Sequence, residues 1–232
     1  MSKEIIRPIG NERMSDTNFI TGTPHIAIID DDPGVRASLG MLLETRSWHY
    51  TEFERSVDFL EGAEPARFNC MVIDIRIPDM SGLELFEELN RRARLKNQYL
   101  PPTLFLSAHG DIPMVVRALK QGAADFLEKP ADHRTLLDAI SRALTVDRAG
   151  RSAHGAQSRL LQEIAELTLR EREVLTEIVG GYLSKQIADH LDISTKTVEA
   201  HRLRICQKFN VRTSMELAAK LRDVPPSLWQ KS

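Results

Sequence analysis

Cysteine is scarce in this sequence, and so are aromatic residues and long apolar runs. The two cysteines, Cys70 and Cys206, lie far apart and belong to no CxxC or Cys/His cluster. That excludes a disulfide scaffold and a cysteine-ligated zinc site, and both thiols read as reduced. Nothing approaches the ~18 consecutive apolar residues of a membrane span, so no membrane is expected among the partners. Residues 1–23 lack the apolar core of a secretory signal. They read as a disordered arm, within which Met14 offers an alternative start, and the compartment reads as cytoplasmic. Charge of one sign is also lacking: 31 Lys/Arg against 33 Asp/Glu leave −2 over 232 residues. A nucleic-acid binder by bulk charge is excluded, but the balance is uneven. Between Ser194 and Arg222 stand Lys196, Arg202, Arg204, Lys208, Arg212, Lys220 and Arg222, opposed by Glu199 and Glu216 alone. A local basic stretch is what phosphate contact requires.

The length suggests one or two domains. The apolar run HIAIID ends in Asp30, Asp31 and Asp32, and reads as a buried strand. Pro33 follows at a helix N1 position. HYTEF, CMVID, TLFLSA and ADFLEKP are further strand candidates, each separated from the next by a helical pattern. Five such alternations predict an α/β fold, a five-stranded doubly wound parallel sheet. Asp132 caps the last helix of this half, through Leu144. Residues 147–159 lack periodicity and read as a linker. From Leu160 the pattern is all helical, in four short segments: Thr168 and Glu171 form a capping box, Gly180-Gly181 ends the first helix, Ser184 caps the second, Ser194 or Thr195 the third, and Thr213 or Ser214 the fourth. The domains expected are 24–146, a linker 147–159, 160–224, and a tail 225–232.

Asp74 ends the apolar run CMVID, and a buried carboxylate is costly unless paired or needed. In a doubly wound sheet, sites form beyond the carboxyl ends of the strands. Asp30, Asp31, Asp74, Ser107 and Lys129 all fall there, from four strands. Clustered carboxylates stay ionised together only beside a cation. Oxygen ligands favour Mg²⁺, with the Arg76 carbonyl as a further ligand. Asp74 is then a candidate nucleophile toward phosphorus, with Lys129 stabilising phosphoryl charge and Ser107 donating a hydrogen bond. Each residue alone has a plainer reading as helix cap, turn or core; their joint order carries the argument.

Residues 24–146 resemble the receiver domain of two-component response regulators, and SAHGDIPMVVRAL and ADFLEKP are similar to its FixJ-like branch. The resemblance implies that Asp30 and Asp31 are the acidic metal pair, Asp74 the phosphoacceptor, Ser107 the hydroxyl switch residue, Lys129 the phosphate-binding lysine and Phe126 the aromatic coupled to the switch. Ser107 stands where threonine is common, and the stretch RRARLKNQYLPP is longer than usual before the fourth strand.

Residues 160–224 have helix-turn-helix grammar. On a helical wheel Val198, Ile205 and Phe209 share the apolar face. Lys196, Glu199, Ala200, Leu203 and Gln207 fall opposite, where a groove would lie, and Glu199 suits cytosine. Arg204 and Lys208 flank that face toward phosphates; Arg202 lies nearer the apolar side. Lys185 and Thr197, near helix starts, are further phosphate candidates. His201 reads as packing. Cys206 reads as a small exposed residue, with redox sensing the sharper alternative. LTLREREVL, KQIADHL and ISTKTVEAHRLRI resemble the LuxR-type DNA-binding domain. The two resemblances together imply a response regulator and transcription factor. A sensor histidine kinase would phosphorylate Asp74, residues 112–144 would form a homodimer, and paired half-sites of double-stranded promoter DNA would be bound, with RNA polymerase admitted as a partner. Catalysis is expected at most as Mg²⁺-dependent self-phosphorylation and self-dephosphorylation. Two other readings stay open: a constitutive DNA-binding protein with a phosphate-independent receiver, and an aspartyl-phosphate hydrolase. The second is weakened by Arg76, which stands where hydrolases of the haloacid-dehalogenase type place a second acid.

Overall fold

The computed structural model describes residues 22–108, 112–222 and 224–229. Most of the expected N-terminal arm therefore lies outside the described residues. The chain divides into two compact units, 1–151 and 152–232.

In the first unit, the strands β1 (His25–Ile29), β2 (His49–Phe53), β3 (Cys70–Asp74), β4 (Thr103–Ser107) and β5 (Asp125–Glu128) form one sheet, ordered β2-β1-β3-β4-β5. Every pairing is parallel. β3 and β4 are buried throughout, which is why they read as continuous apolar runs. Successive side chains point to opposite faces. Ala27, Ile29, Met71, Ile73 and Phe105 pack with residues of α2 (Ser56–Gly62), α3 (Gly82–Lys96) and α4 (Ile112–Lys120). Ile26, Ile28, Val72, Leu104 and Leu106 pack against α1 (Pro33–Glu44) and the first turns of α5 (His133–Ala165). The chain runs outward from β1 to β2 in one direction and from β3 to β4 in the other. The carboxyl ends of β1 and β3 are thus the switch point at which such sheets place their sites.

Two expectations change here. RRARLKNQYLPP does not lengthen a loop: α3 continues through it to Lys96 and closes on Asn97 in the left-handed conformation, φ 48°. Nor are residues 147–159 an irregular linker, since α5 runs unbroken for 33 residues. Its middle is anchored by a polar group that no hydrophobic period would reveal. Asp147 is fully buried and takes Arg151 Nε at 2.8 Å and Asn69 Nδ2 at 2.9 Å. Tyr99 donates to the Asp147 carbonyl at 3.2 Å, and the Arg151 guanidinium stacks 4.8 Å from the Tyr99 ring. Gly150 makes room: a Cβ there would sit 2.8 Å from the Tyr99 hydroxyl.

The second unit holds the end of α5, then α6 (Leu169–Val179), α7 (Ser184–Leu191), α8 (Thr195–Lys208) and α9 (Ser214–Leu221). The four expected helices are these. The Thr168–Glu171 capping box is present, and Ser194 and Thr213 cap α8 and α9. Ser184 is the first residue of α7 and not its cap; Leu183 holds that position. Val174, Ile187, Val198, Ile205, Phe209 and Leu217 form the core. Cys206 belongs to it as well, against the expectation of an exposed residue, because the tight turn after α8 brings α9 over that side. Trp229, in the expected tail, is 1% exposed and closes the same core. Among the described residues no helix is long and apolar enough to cross a membrane.

Candidate phosphoryl-acceptor site and nucleic-acid surface

β1 delivers Asp30 and β3 delivers Asp74 to neighbouring positions, both nearly buried. Lys129, just past β5, reaches between them. Its Nζ lies 2.6 Å from Asp30 Oδ2 and 2.7 Å from Asp74 Oδ1. The remaining oxygens are bound by backbone: Asp32 N–H donates to Asp30 Oδ1 at 3.0 Å, and Arg76 N–H to Asp74 Oδ2 at 2.7 Å. Burial raises the Asp30 carboxyl above the ordinary range, against the pull of Lys129. Burial pulls the Lys129 ammonium down, but the two carboxylates outweigh it and hold it above its usual value.

The turn after Asp74 is braced from two sides. Asp79 accepts from the Ser56 and Val57 amides at 3.3 and 3.0 Å, capping α2. Burial opposes its ionisation, but those backbone bonds prevail and keep its carboxyl low. Ser56 Oγ donates to the Met80 carbonyl at 2.8 Å. Gly82 N–H returns to the Ile75 carbonyl at 3.0 Å, and a Cβ on Gly82 would stand 2.1 Å from the Asp74 carbonyl oxygen. The helix start is pressed so closely on the strand end that only glycine fits. Asp79 and Gly82 are residues sequence reasoning missed; the turn residues of PDMSG were the available signal.

Other expected residues divide. Ser107 is buried at the end of β4, one residue beyond Leu106, which pairs with Asp74 across the sheet. Its carbonyl accepts the Lys129 amide at 2.9 Å. Phe126 pairs in register with Phe105 and packs, half-buried, on the α4 side. Asp31 is exposed. Among the described residues no three His, Cys, Asp or Glu side chains gather closely enough to hold a metal. The structure therefore brings together two of the three expected carboxylates, with an ammonium between them. Their summed charge is −1, and the donor atoms are all oxygen. This set fits a hard divalent ion, which needs only one or two carboxylates and keeps waters.

In the second unit α7, a three-residue turn with Asp192 at φ 50°, and α8 form the helix-turn-helix. Lys196, Glu199, Ala200, Leu203, Arg204 and Gln207 are all exposed, as the wheel requires, and Leu203 is 61% exposed with no apolar neighbour needed. Lys185 and Thr197 are exposed too, although the Thr197 hydroxyl bonds Ser194 Oγ at 2.8 Å in the cap. His201 is half-buried, with Nδ1 unpartnered. Two cations belong elsewhere. Lys208 does not flank a groove: its Nζ is 2.7 Å from the buried Glu171 and 2.9 Å from the Glu166 carbonyl, pinning α8 to α6. Arg202 bonds Ser184 Oγ at 2.9 Å and Ser214 Oγ at 3.2 Å. Lys208 is held by a buried carboxylate and Arg202 by two half-buried hydroxyls.

A lysine-bridged aspartate pair at the switch point of a 2-1-3-4-5 sheet, on one chain with a helix-turn-helix, defines a response regulator. Residues 26–141 match the family model "Response regulator receiver domain", and residues 165–221 match "Bacterial regulatory proteins, luxR family". The chain is 39% identical to the transcriptional regulatory protein TdiR of Thauera aromatica, over 83% of this chain and 82% of that one. It is 39% identical to the transcriptional regulatory protein FixJ of Azorhizobium caulinodans, over 87% and 94%. The solved structure of the response regulator StyR superposes with a TM-score of 0.75 at 40% identity, covering 87% of this chain and 99% of that one. The chain belongs to the two-component response regulators that join a receiver to a LuxR-type DNA-binding domain.

Proposed function

We propose that Asp74 accepts a phosphoryl group from a sensor histidine kinase and that this acyl phosphate sets the protein's affinity for promoter DNA. The observation that carries the reading is Lys129 bridging Asp30 and Asp74 within 2.7 Å of each. An Asp74 oxygen attacks phosphorus in line, the bond to the donor histidine breaks, and the donor ring keeps the electron pair. Lys129 follows the charge onto the transferred group, and the Ser107 hydroxyl donates to one of its oxygens. Asp30, Asp74, the Arg76 carbonyl and, through water, Asp31 would hold Mg²⁺, which supplies charge neutralisation for the phosphoryl oxygens. Ser107 and Phe126 then shift together, and the surface of residues 112–144 pairs with a second copy. Two helix-turn-helix units so joined meet two half-sites of double-stranded DNA, and from there engage RNA polymerase. The phosphoryl group must favour the active arrangement differentially for any of this to follow. The site of action is the cytoplasm, where kinase and promoter are both present.

The test is a DNA-binding and molecular-mass titration with acetyl phosphate and Mg²⁺, on wild type and Asp74→Asn. Donor-dependent dimers and tighter binding are expected in wild type only. Equal affinity in both proteins, with and without donor, would show a phosphate-independent receiver and overturn the proposal.

A further inference from the structure

Ser184, the first residue of α7, sits between two residues of α8. Its hydroxyl contacts Glu199 Oε1 and lies 2.9 Å from Arg202 Nη1. Arg202 Nε reaches on to Ser214 Oγ, the first residue of α9, at 3.2 Å. The donor logic leaves one arrangement. A guanidinium only donates and a carboxylate only accepts, so Ser184 accepts from Arg202 and gives its single proton to Glu199. Glu199 and Arg202 are three residues apart, the spacing at which opposite charges on a helix pair directly. Here they form no direct ion pair; the guanidinium is engaged by the two half-buried serines instead.

The consequence falls on Glu199. One carboxylate oxygen is tied to a half-buried hydroxyl, while the side chain stays exposed on the face shared by Lys196, Ala200, Leu203 and Gln207. Its second oxygen remains available on that face. A carboxylate facing DNA is repelled by phosphates, so a carboxylate held there by a neighbour's hydrogen bond needs a compensating donor. In the major groove the lone donor of cytosine is its N4 amino group. Adenine sets an N7 acceptor beside its amino group, and guanine and thymine present acceptors.

We propose that Ser184 is a positioning residue that aims Glu199 at a cytosine amino group, setting the base preference at one position of each half-site. This rests on α8 being the groove helix. Arg202 fixes the direction of the serine hydroxyl and so takes part without touching DNA.

The experiment selects bound sequences from a random double-stranded pool with the full chain, acetyl phosphate and Mg²⁺. Single-base variants of the selected site are then titrated. In wild type, one position per half-site should prefer cytosine by about tenfold. Glu199→Ala should abolish that preference and leave the ranking at other positions. Ser184→Ala should reduce it several-fold, more than at any other position, and Ser184→Thr, which keeps the hydroxyl, should restore it. Melting curves of the three variants exclude unfolding as the cause. A cytosine preference that survives Ser184→Ala, or one lost equally in Ser184→Thr, overturns the positioning role. A preference that survives Glu199→Ala overturns the base contact. If wild type enriches no sequence, the groove reading falls, and the assignment with it.

Discussion

Replacing Lys129 with methionine keeps the side-chain stem and removes the charge that two buried carboxylates share. Nζ lies within 2.7 Å of each. The facing oxygens are therefore no more than about 5 Å apart, where two unit charges repel by ~3 kcal/mol at an effective dielectric of 20. Breaking a buried pair by deleting one partner costs on the order of 3–5 kcal/mol by mutagenesis, which agrees. Lys129→Met should thus lose about 3 kcal/mol of receiver stability in chelator at neutral pH. Urea unfolding followed by Trp48 fluorescence measures it. Trp48 packs in the receiver core and Trp229 in the other unit, so a Trp229→Phe background isolates the signal. Two internal checks follow. Adding Asp30→Asn to Lys129→Met removes the repulsion and should restore most of the loss. Millimolar Mg²⁺ should stabilise Lys129→Met more than wild type, since the ion replaces the missing charge and stabilises by mass action. If Lys129→Met is as stable as wild type in chelator, or if Asp30→Asn fails to rescue it, the two carboxylates are not electrostatically coupled and the site argument fails.

Gly82→Ala should cost more than about 2 kcal/mol and slow phosphoryl acceptance from acetyl phosphate, because its Cβ meets rigid backbone at Asp74; unchanged unfolding and labelling would contradict the close approach. Lys208→Ala should destabilise the second unit by roughly 2–3 kcal/mol at neutral pH, discounted from the buried-pair range because the lysine is partly exposed. Burial opposes Glu171 ionisation, but Lys208 and the Thr168 bonds prevail and depress its folded pKa. Its contribution is therefore present above the unfolded value, near 4.3, and is lost as pH falls through the folded one. The deficit of Lys208→Ala should shrink over that acid range in melts followed by Trp229 fluorescence; a deficit flat with pH would deny the pairing. Lys196→Ala and Arg204→Ala should each weaken binding on all sequences and lower the salt slope by about 1. Filter-binding at several salt concentrations checks this, and an unchanged slope would remove them from the phosphate contacts.

Runs of apolar residues and capping side chains were enough to place the elements. CMVID coincides with β3 because a buried parallel strand must be apolar throughout, and the Thr168–Glu171 box marks the start of α6 because helix ends must satisfy their amides. HYTEF and SVDFLEG coincide with β2 and α2 on local pattern alone, since β2 is partly exposed and the first amides of α2 are bound by the distant Asp79. What escaped was held by long-range polar contacts. The middle of α5 looked like a linker because its anchor, Asp147, is tied to Asn69 and Tyr99, 78 and 48 residues earlier, as well as to Arg151 one turn on. Lys208 looked like a phosphate contact because Glu171, 37 residues earlier, leaves no periodic trace.

The sequence by itself therefore determined the order of strands and helices, the presence of Asp30, Asp74 and Lys129 at strand ends, and the exposed face of α8. These follow from local rules: side-chain period, caps and turn residues. Only the tertiary structure decided which charges meet. It put Lys129 between Asp30 and Asp74 and left Asp31 in solvent, turned Lys208 inward, and set Ser184 between Glu199 and Arg202. A charge pairs with whatever acceptor folding brings within about 3 Å in a dry place, and that neighbour is chosen by the path of the chain.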